Sequence, residues 1–296
     1  MEMKKSYART MTLESVTTPE GVEALRALLQ NKKIAVLTGA GVSTDSGIPD
    51  YRGAGSIKRT PMNISDFMGS HQTRQRYWAG AHLGWSRFAG AEPNAGHLAL
   101  AAMEQAGLIE GVVTQNVDGL HRRAGNAHVV DLHGSLDRVI CMDCGQIFDR
   151  SSIASFLESN NPWLRDVGFT ELSPDGDVQV ADPSLMILPT CSVCTGILKP
   201  DVVFFGEFVP PKIFGAASSF LKRADAFLVA GSSLVVNSGI RLIEQARRQR
   251  KPIAIINRGE TKADIHATVK IDGGTSELLT SLASQLGASH LFEDID

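Results

Sequence analysis

Several groups of side chains in this 296-residue sequence stand at spacings that suit chemistry. Cys141-x-x-Cys144 and Cys191-x-x-Cys194 contain all four cysteines, and two such pairs offer four soft thiolates from two turns, the set that tetrahedral zinc takes. A shell made only of cysteine leaves no open position for water, so the metal expected is structural. The gap between the pairs exceeds the roughly 15 to 20 residues of a zinc ribbon, which keeps two independent redox pairs as the alternative. Thr38-Gly39-Ala40-Gly41-Val42-Ser43 is a glycine-rich turn in which backbone N–H groups and a helix start can receive a pyrophosphate. Thr44 occupies the place of the third glycine in the dinucleotide fingerprint, so a tight structural turn fits equally well. The continuation Asp45-Ser46-Gly47-Ile48-Pro49-Asp50-Tyr51-Arg52 puts two carboxylates and an arginine into one loop, more than a plain crossover requires. His133 is eligible as a base because imidazole titrates near pH ~6.5, although a lone histidine also suits a structural place.

These groups need elements to hold them. Lys33–Leu37 is a short apolar run that ends in the glycine turn, as a strand buried on both faces does. Similar runs occur at 111–114, 129–132, 226–230 and 252–256. Helical patterns at 19–31, 96–105 and 238–248 lie among them, the first opened by Thr18-Pro19-Glu20. Such alternation predicts a doubly wound α/β sheet of the Rossmann-like kind. Its strand ends then carry the candidate groups. Gln115-Asn116-Val117-Asp118 presents amides and a carboxylate that suit ribose hydroxyls and a carboxamide, or a helix cap. Gly231-Ser232-Ser233 and Asn257-Arg258-Gly259 offer small polar groups for an adenosine, or ordinary turn chemistry. His133 follows the 129–132 run at the same edge, whereas His97 and His121 read as structural.

Two stretches interrupt the alternation. Residues 53–93 are rich in arginine, glycine and aromatics and read as a helical insertion over the carboxyl edge of the sheet. Residues 137–199 hold all the cysteines and the turn-rich Ser173-Pro174-Asp175-Gly176-Asp177. The expected division is a discontinuous Rossmann-like domain over 19–52, 94–136 and 200–290, with the insertion and a zinc-binding module between its pieces.

Composition narrows the function classes. With 43% hydrophobic and 21% charged residues and a formal charge of −3, the chain lacks the broad basic footprint of a nucleic-acid binder and any apolar run near the roughly 20 residues of a membrane span. The opening stretch to Pro19 lacks the apolar core of a secretory signal, its Glu2 and Glu14 disagree with a transit peptide, and it reads as a short frayed arm. Paired cysteines without a disulfide framework fit a reducing compartment, the cytoplasm first, with the mitochondrial matrix as the other such place.

The ordered motifs carry a specific resemblance. GAGVSTDSGIPDYRG at 39–53 resembles the cofactor-binding signature of the sirtuins. TQNVDGLH at 114–121, LHGS at 132–135, the cysteine pairs, KPDVVFFGE at 199–207, GSSLVVNS at 231–238 and IINRG at 255–259 follow in that family's order. The long cysteine-containing insertion and RQRYWAGAHLGW at 74–85 resemble the class II branch, which includes the mitochondrial lipoamidase-like sirtuin. The resemblance implies a protein-lysine deacylase that consumes NAD, holds one structural zinc ion, acts on acyl-lysine in proteins or peptides, and involves neither nucleic acid nor membrane. It also implies roles for residues. His133 would be the base toward the nicotinamide ribose, Asn116 would orient that ribose or a water, and Asp118 and Ile48 would line the nicotinamide pocket. Tyr51 and Arg52 match a mobile pair covering the cofactor, where phenylalanine is commoner at the first position. The remaining implied NAD contacts are Gly39, Ala40, Gly41, Ser43, Asp45, Asp50, Gln115, Gly231, Ser232, Ser233, Asn257, Arg258, Gly259 and Thr275. Residues 202–205 read as a strand, which in sirtuins pairs with the extended substrate. Two rival readings are transfer of ADP-ribose to a protein side chain and a noncatalytic NAD-sensing zinc module; intact Asn116, Asp118 and His133 argue against the second.

Overall fold

The computed structural model describes residues 11–13, 19–51, 61–168 and 173–288. In chain order the elements are β1 (Met11–Leu13), α1 (Pro19–Leu29), β2 (Ile34–Thr38), α2 (Ile64–Gly69), α3 (His71–Ala89), α4 (Ala95–Gln105), β3 (Ile109–Thr114), α5 (Leu120–Arg123), β4 (Val129–Asp131) and β5 (Gly134–Cys141). There follow β6 (Ile147–Asp149), α6 (Arg150–Asn160), β7 (Leu198–Val202), α7 (Pro211–Arg223), β8 (Ala226–Ala230), α8 (Asn237–Arg248), β9 (Ile253–Ile256), β10 (Val269–Ile271) and α9 (Thr275–Gln285).

The large sheet is wholly parallel, in the order β1-β10-β9-β8-β2-β3-β4. From β2 the chain winds outward through β3 and β4, then returns to β8 on the other flank of β2 and winds the opposite way. The strand order therefore reverses between β2 and β8, and a crevice opens there at the carboxyl ends. The apolar runs are continuous because both faces are covered. Ile34 and Val36 of β2, Leu228 of β8 and Ile256 of β9 pack with Leu25, Leu100, Met103 and Leu278 on one face. Their alternate neighbours Leu37, Phe227, Val229 and Ile255 pack with Leu221, Leu242 and Ile243 on the other. Each such side chain contributes about 1.5–3 kcal/mol relative to exposure.

The second sheet, β6-β5-β7, is antiparallel. Aromatic residues from the first insertion join it: Phe67 meets Tyr77 and Phe204 edge-on, with centroids 5.5 and 5.3 Å apart, and Trp78 donates to the Leu198 carbonyl at 3.3 Å. Arg150, at the start of α6, is 2% exposed; its guanidinium lies 5.3 and 5.0 Å from the ring centroids of Trp78 and Trp85 and donates to the Ala81 carbonyl. Two indole faces thus replace the carboxylate that usually accompanies a buried cation.

Three expectations need correction. The segment read as a frayed arm contributes β1, which covers the edge of β10 that would otherwise lie unpaired; residues 1–10 and 14–18, with the helix-start signal at Thr18, lie outside the described residues. The strand expected over 202–205 ends at Val202: beyond it Val203 donates to the His133 carbonyl, and Phe205 exchanges backbone bonds with Met62 and Ile64, so the chain turns from the ladder toward α2. The helix start after Gly39 consists of two short 3-10 turns, Ala40–Val42 and Thr44–Ser46.

Candidate active site

The glycine turn leaves β2 and packs directly on the loop after β8. Gly39 N–H donates to the Ala230 carbonyl at 3.1 Å and Gly41 N–H to the Gly231 carbonyl at 2.9 Å. A Cβ on Gly39 would lie 2.8 Å from the Gly231 oxygen, and one on Gly41 2.9 Å from the Gly231 Cα. These glycines let two backbones meet at the crevice, a demand of packing that stands apart from any ligand. Thr275, the first residue of α9, donates its hydroxyl to the Gly41 carbonyl at 3.0 Å and ties the same turn from the side.

Ser43, fully buried, donates to the Asp118 carboxylate at 2.7 Å. Asn116 donates its amide to the Gly39 carbonyl at 3.1 Å and to Ser43 Oγ at 3.0 Å. Its Oδ1 has no protein partner among the described residues and is available to a ligand hydroxyl. Asp118 also accepts from Leu120 N–H at 2.9 Å, so it holds the first N–H of the short α5, whose N-cap is Gly119, while facing Ser43. Burial holds its carboxyl above the usual range, against the hydrogen bond from Ser43.

His133 sits beyond β4, where Leu132 is buried and donates its N–H to the Thr114 carbonyl. Its Nδ1 lies 3.0 Å from the Gln115 carbonyl and its Nε2 2.8 Å from Ser238 Oγ. A carbonyl only accepts, so Nδ1 carries the hydrogen and the lone pair stands on Nε2. Burial lowers the imidazole's pKa below its ordinary value of 6.5, opposed by the Gln115 carbonyl. A neutral ring with a bare Nε2 is the form a general base needs. Ser238 did not stand out in the sequence as a functional residue. A serine at the start of a helical pattern reads as a cap, yet Val236 is the cap of α8 and makes no side-chain bond.

The remaining expected residues stand around these. Gln115 accepts from Ser232 Oγ at 2.6 Å and so joins the loops after β3 and β8. Ser233 lies in that second loop, its carbonyl accepting from Lys262 N–H. Asn257, 8% exposed, donates to the carbonyls of Arg258 and Gly259, and Gly259 N–H donates to Asp272. Ile48 is buried with Phe88, Leu120, Leu136 and Val178; Ala40 and Asp50 are half-buried, and Asp45 is exposed on its turn. Tyr51, exposed, donates its hydroxyl to Asp175, whose carboxyl burial pushes up to about 6. The hydroxyl by which this residue differs from the phenylalanine commoner in sirtuins is the group that makes this contact. Arg52 lies outside the described residues. His97 and His121 are buried behind the crevice: His121 Nε2 meets Thr38 Oγ1 at 2.8 Å, and His97 Nδ1 accepts from Asn94 N–H at 3.4 Å.

The four cysteine sulfurs converge within 4.8 Å of one another, with 3.5 Å between Cys141 and Cys194 and 3.7 Å between Cys144 and Cys191. Disulfides need about 2.05 Å, whereas four sulfurs at about 2.3 Å from one zinc stand about 3.8 Å apart. The donor set fits a zinc ion and excludes the reading of two separate redox pairs.

Residues 39–238 match the model of the Sir2 family. The chain belongs to that family. As a sirtuin it is 49% identical over 280 residues to NAD-dependent protein deacetylase 1 of Mycobacterium avium, covering 93% of this chain and 98% of the relative. It is 48% identical over 259 residues to NAD-dependent protein deacetylase 1 of Streptomyces coelicolor, covering 86% of each. Among solved sirtuin structures, a Sir2 with a p53 peptide and NAD+ aligns at a TM-score of 0.71 and 30% identity, over 90% of this chain and 98% of that one.

Proposed function

We propose that this sirtuin is an NAD-dependent protein-lysine deacylase. Acyl-lysine and NAD are its substrates, and lysine, nicotinamide and O-acyl-ADP-ribose its products. The observation that carries the reading is the convergence of Asn116, Asp118 and His133 on one crevice, with a neutral imidazole whose lone pair is on Nε2. NAD would lie across the switch point. The turn of Gly39, Ala40, Gly41 and Ser43 lies against Gly231, Ser232 and Ser233, Asn257, Arg258 and Gly259 follow β9 beside them, and Thr275 ties the turn. Asp45, Asp50, Tyr51 and Arg52 belong to the covering loop, and Ile48 with Asp118 to the nicotinamide end. Loss of nicotinamide develops positive charge on the ribose, which the carboxylate of Asp118 and the oriented amides of Gln115 and Asn116 stabilise. The acyl oxygen is the nucleophile, so no protein nucleophile is needed, and holding it beside the ribose carbon makes the step intramolecular. His133 then takes a proton from a ribose hydroxyl.

An extended substrate segment is expected beside residues 201–207. Lys199, 4% exposed, steadies them by donating to Glu207 at 3.0 Å, and Glu207 in turn accepts from Phe204 N–H. Zinc would be held by Cys141, Cys144, Cys191 and Cys194, where it cross-links two turns of the small sheet. A reducing compartment, the cytoplasm, suits those thiolates.

Peptides bearing acetyl, longer fatty, dicarboxylic and lipoyl-type lysine modifications, incubated with NAD and followed by mass, test this reading. Free lysine with stoichiometric nicotinamide and O-acyl-ADP-ribose is the expected result; ADP-ribose fixed to the protein with the acyl group retained would replace it by the transferase reading.

A further inference from the structure

The contact at His133 Nε2 has no part in the chemistry described so far. Neutral imidazole has one acceptor lone pair in the ring plane, and with Nδ1–H given to the Gln115 carbonyl that pair is on Nε2. Ser238 Oγ lies on it at 2.8 Å. Ser238 is 7% exposed and belongs to the first turn of α8. Gly239 beside it lies against the Gln115 amide, 3.1 Å from where its Cβ would stand. The hydroxyl is therefore held where a sugar hydroxyl would otherwise have to come to reach the base.

We propose that Ser238 is a proton-relay residue between the substrate's ribose hydroxyl and His133, an inference that rests on His133 being the base of the deacylase reaction. In the relay the Ser238 O–H bond breaks as Nε2–H forms. The ribose O–H gives its hydrogen to Ser238 Oγ, and the ribose oxygen keeps the electron pair with which it attacks. Imidazolium and the restored hydroxyl remain, now with Nε2–H donating to Ser238. Only a group that both donates and accepts can do this, which a hydroxyl does and a methyl cannot. The positive end of α8 lies beside the ring and favours its neutral, proton-accepting form before the step. Burial lowers this imidazole in the same direction, and the Gln115 carbonyl opposes it.

The test compares Ser238→Ala, Ser238→Thr and Ser238→Cys with wild type and His133→Ala, measuring nicotinamide release and free lysine separately. Ser238→Ala is expected to lower lysine formation about 10-fold or more while nicotinamide release falls less, because the base acts late. Threonine restores most of the rate; cysteine, nearly isosteric but a weak donor, does not, which guards against a packing effect. In the His133→Ala background, Ser238→Ala adds no further loss, since two members of one relay are not additive. Wild-type or faster lysine formation by Ser238→Ala would show that the hydroxyl is merely displaced by substrate, and additive losses would make it structural; either overturns the relay. Full lysine formation by His133→Ala would overturn the assignment of the base itself, and the relay with it.

Discussion

At the residue scale, environment decides what each side chain can do. Asp118 and His133 stand near one another in the chain order of strand ends, but burial shifts both toward their neutral forms, upward for the carboxyl and downward for the imidazole. For His133 the consequence has a definite sign. The base form is the neutral one, its pKa in the folded protein lies below 6.5, and lowering the pH removes it only below that value. The acid limb of kcat/KM for the acyl-peptide, measured at saturating NAD and so reporting the enzyme–NAD complex, is therefore expected below pH 6.5. A limb centred above 6.5 that vanishes in a His133 variant would contradict the burial argument. Ser238 shows the converse limit of residue-level reading: its type announces a cap, and only its neighbour reveals another use.

At the scale of elements, two junctions hold the site together. One is the meeting of the turns after β2 and β8. Gly231 has φ +64, and a Cβ there would lie 2.5 Å from the Val42 nitrogen, so Gly231→Ala combines a left-handed residue with a backbone clash. A loss of about 2–4 kcal/mol is expected from chemical denaturation, with weaker NAD binding following from the disturbed turn. Unchanged stability would mean the turns can separate freely. The other junction is the cysteine cluster. Cys191, 1% exposed, anchors the second knuckle beside β7. Cys191→Ala is expected to lose the zinc by metal analysis and to lower the thermal midpoint, because binding energy at a structural site is folding energy. An alanine variant that melts like wild type would remove the structural role.

For the molecule as a whole, the buried histidines set a pH dependence of stability. Burial lowers His97 to about 4 and His121 well below 6.5. The unfolded chain takes up these protons as pH falls through about 6.5, whereas the folded chain keeps His97 neutral until about 4 and His121 neutral well below 6.5, so stability is present at neutral pH and is lost on acidification. For His97 alone the loss between pH 7 and pH 5 is about 2 kcal/mol. Asp118 and Asp175, raised by burial, act in the opposite sense, so the histidine term is read by difference. His97→Gln keeps the glutamine-type capping group at the third position of α4 and should flatten the fall in melting temperature between pH 7 and 5. An equally steep fall would assign it to other groups.

Much of this was legible without coordinates. Continuous apolar runs, glycines at their ends and helical periodicity between them specify a parallel sheet covered on both faces, since only such a sheet demands burial of consecutive residues. Strand ends then put the candidate groups on one edge, because a parallel sheet points every carboxyl end the same way. The cysteine spacing specified paired knuckles, a local matter of turn geometry. What the linear order left open were contacts between residues distant in the chain. The zipping of Gly39 and Gly41 against Gly231, the turn at Val202 that spends Val203 on the His133 carbonyl, and the tyrosine hydroxyl joined to Asp175 each depend on two segments with no shared periodicity. So does the bond from Ser238 to His133, 105 residues apart in sequence. Hydrophobic patterning dictates which face of an element is buried; side-chain partners across elements follow only once strand order and helix placement have brought them within hydrogen-bonding reach.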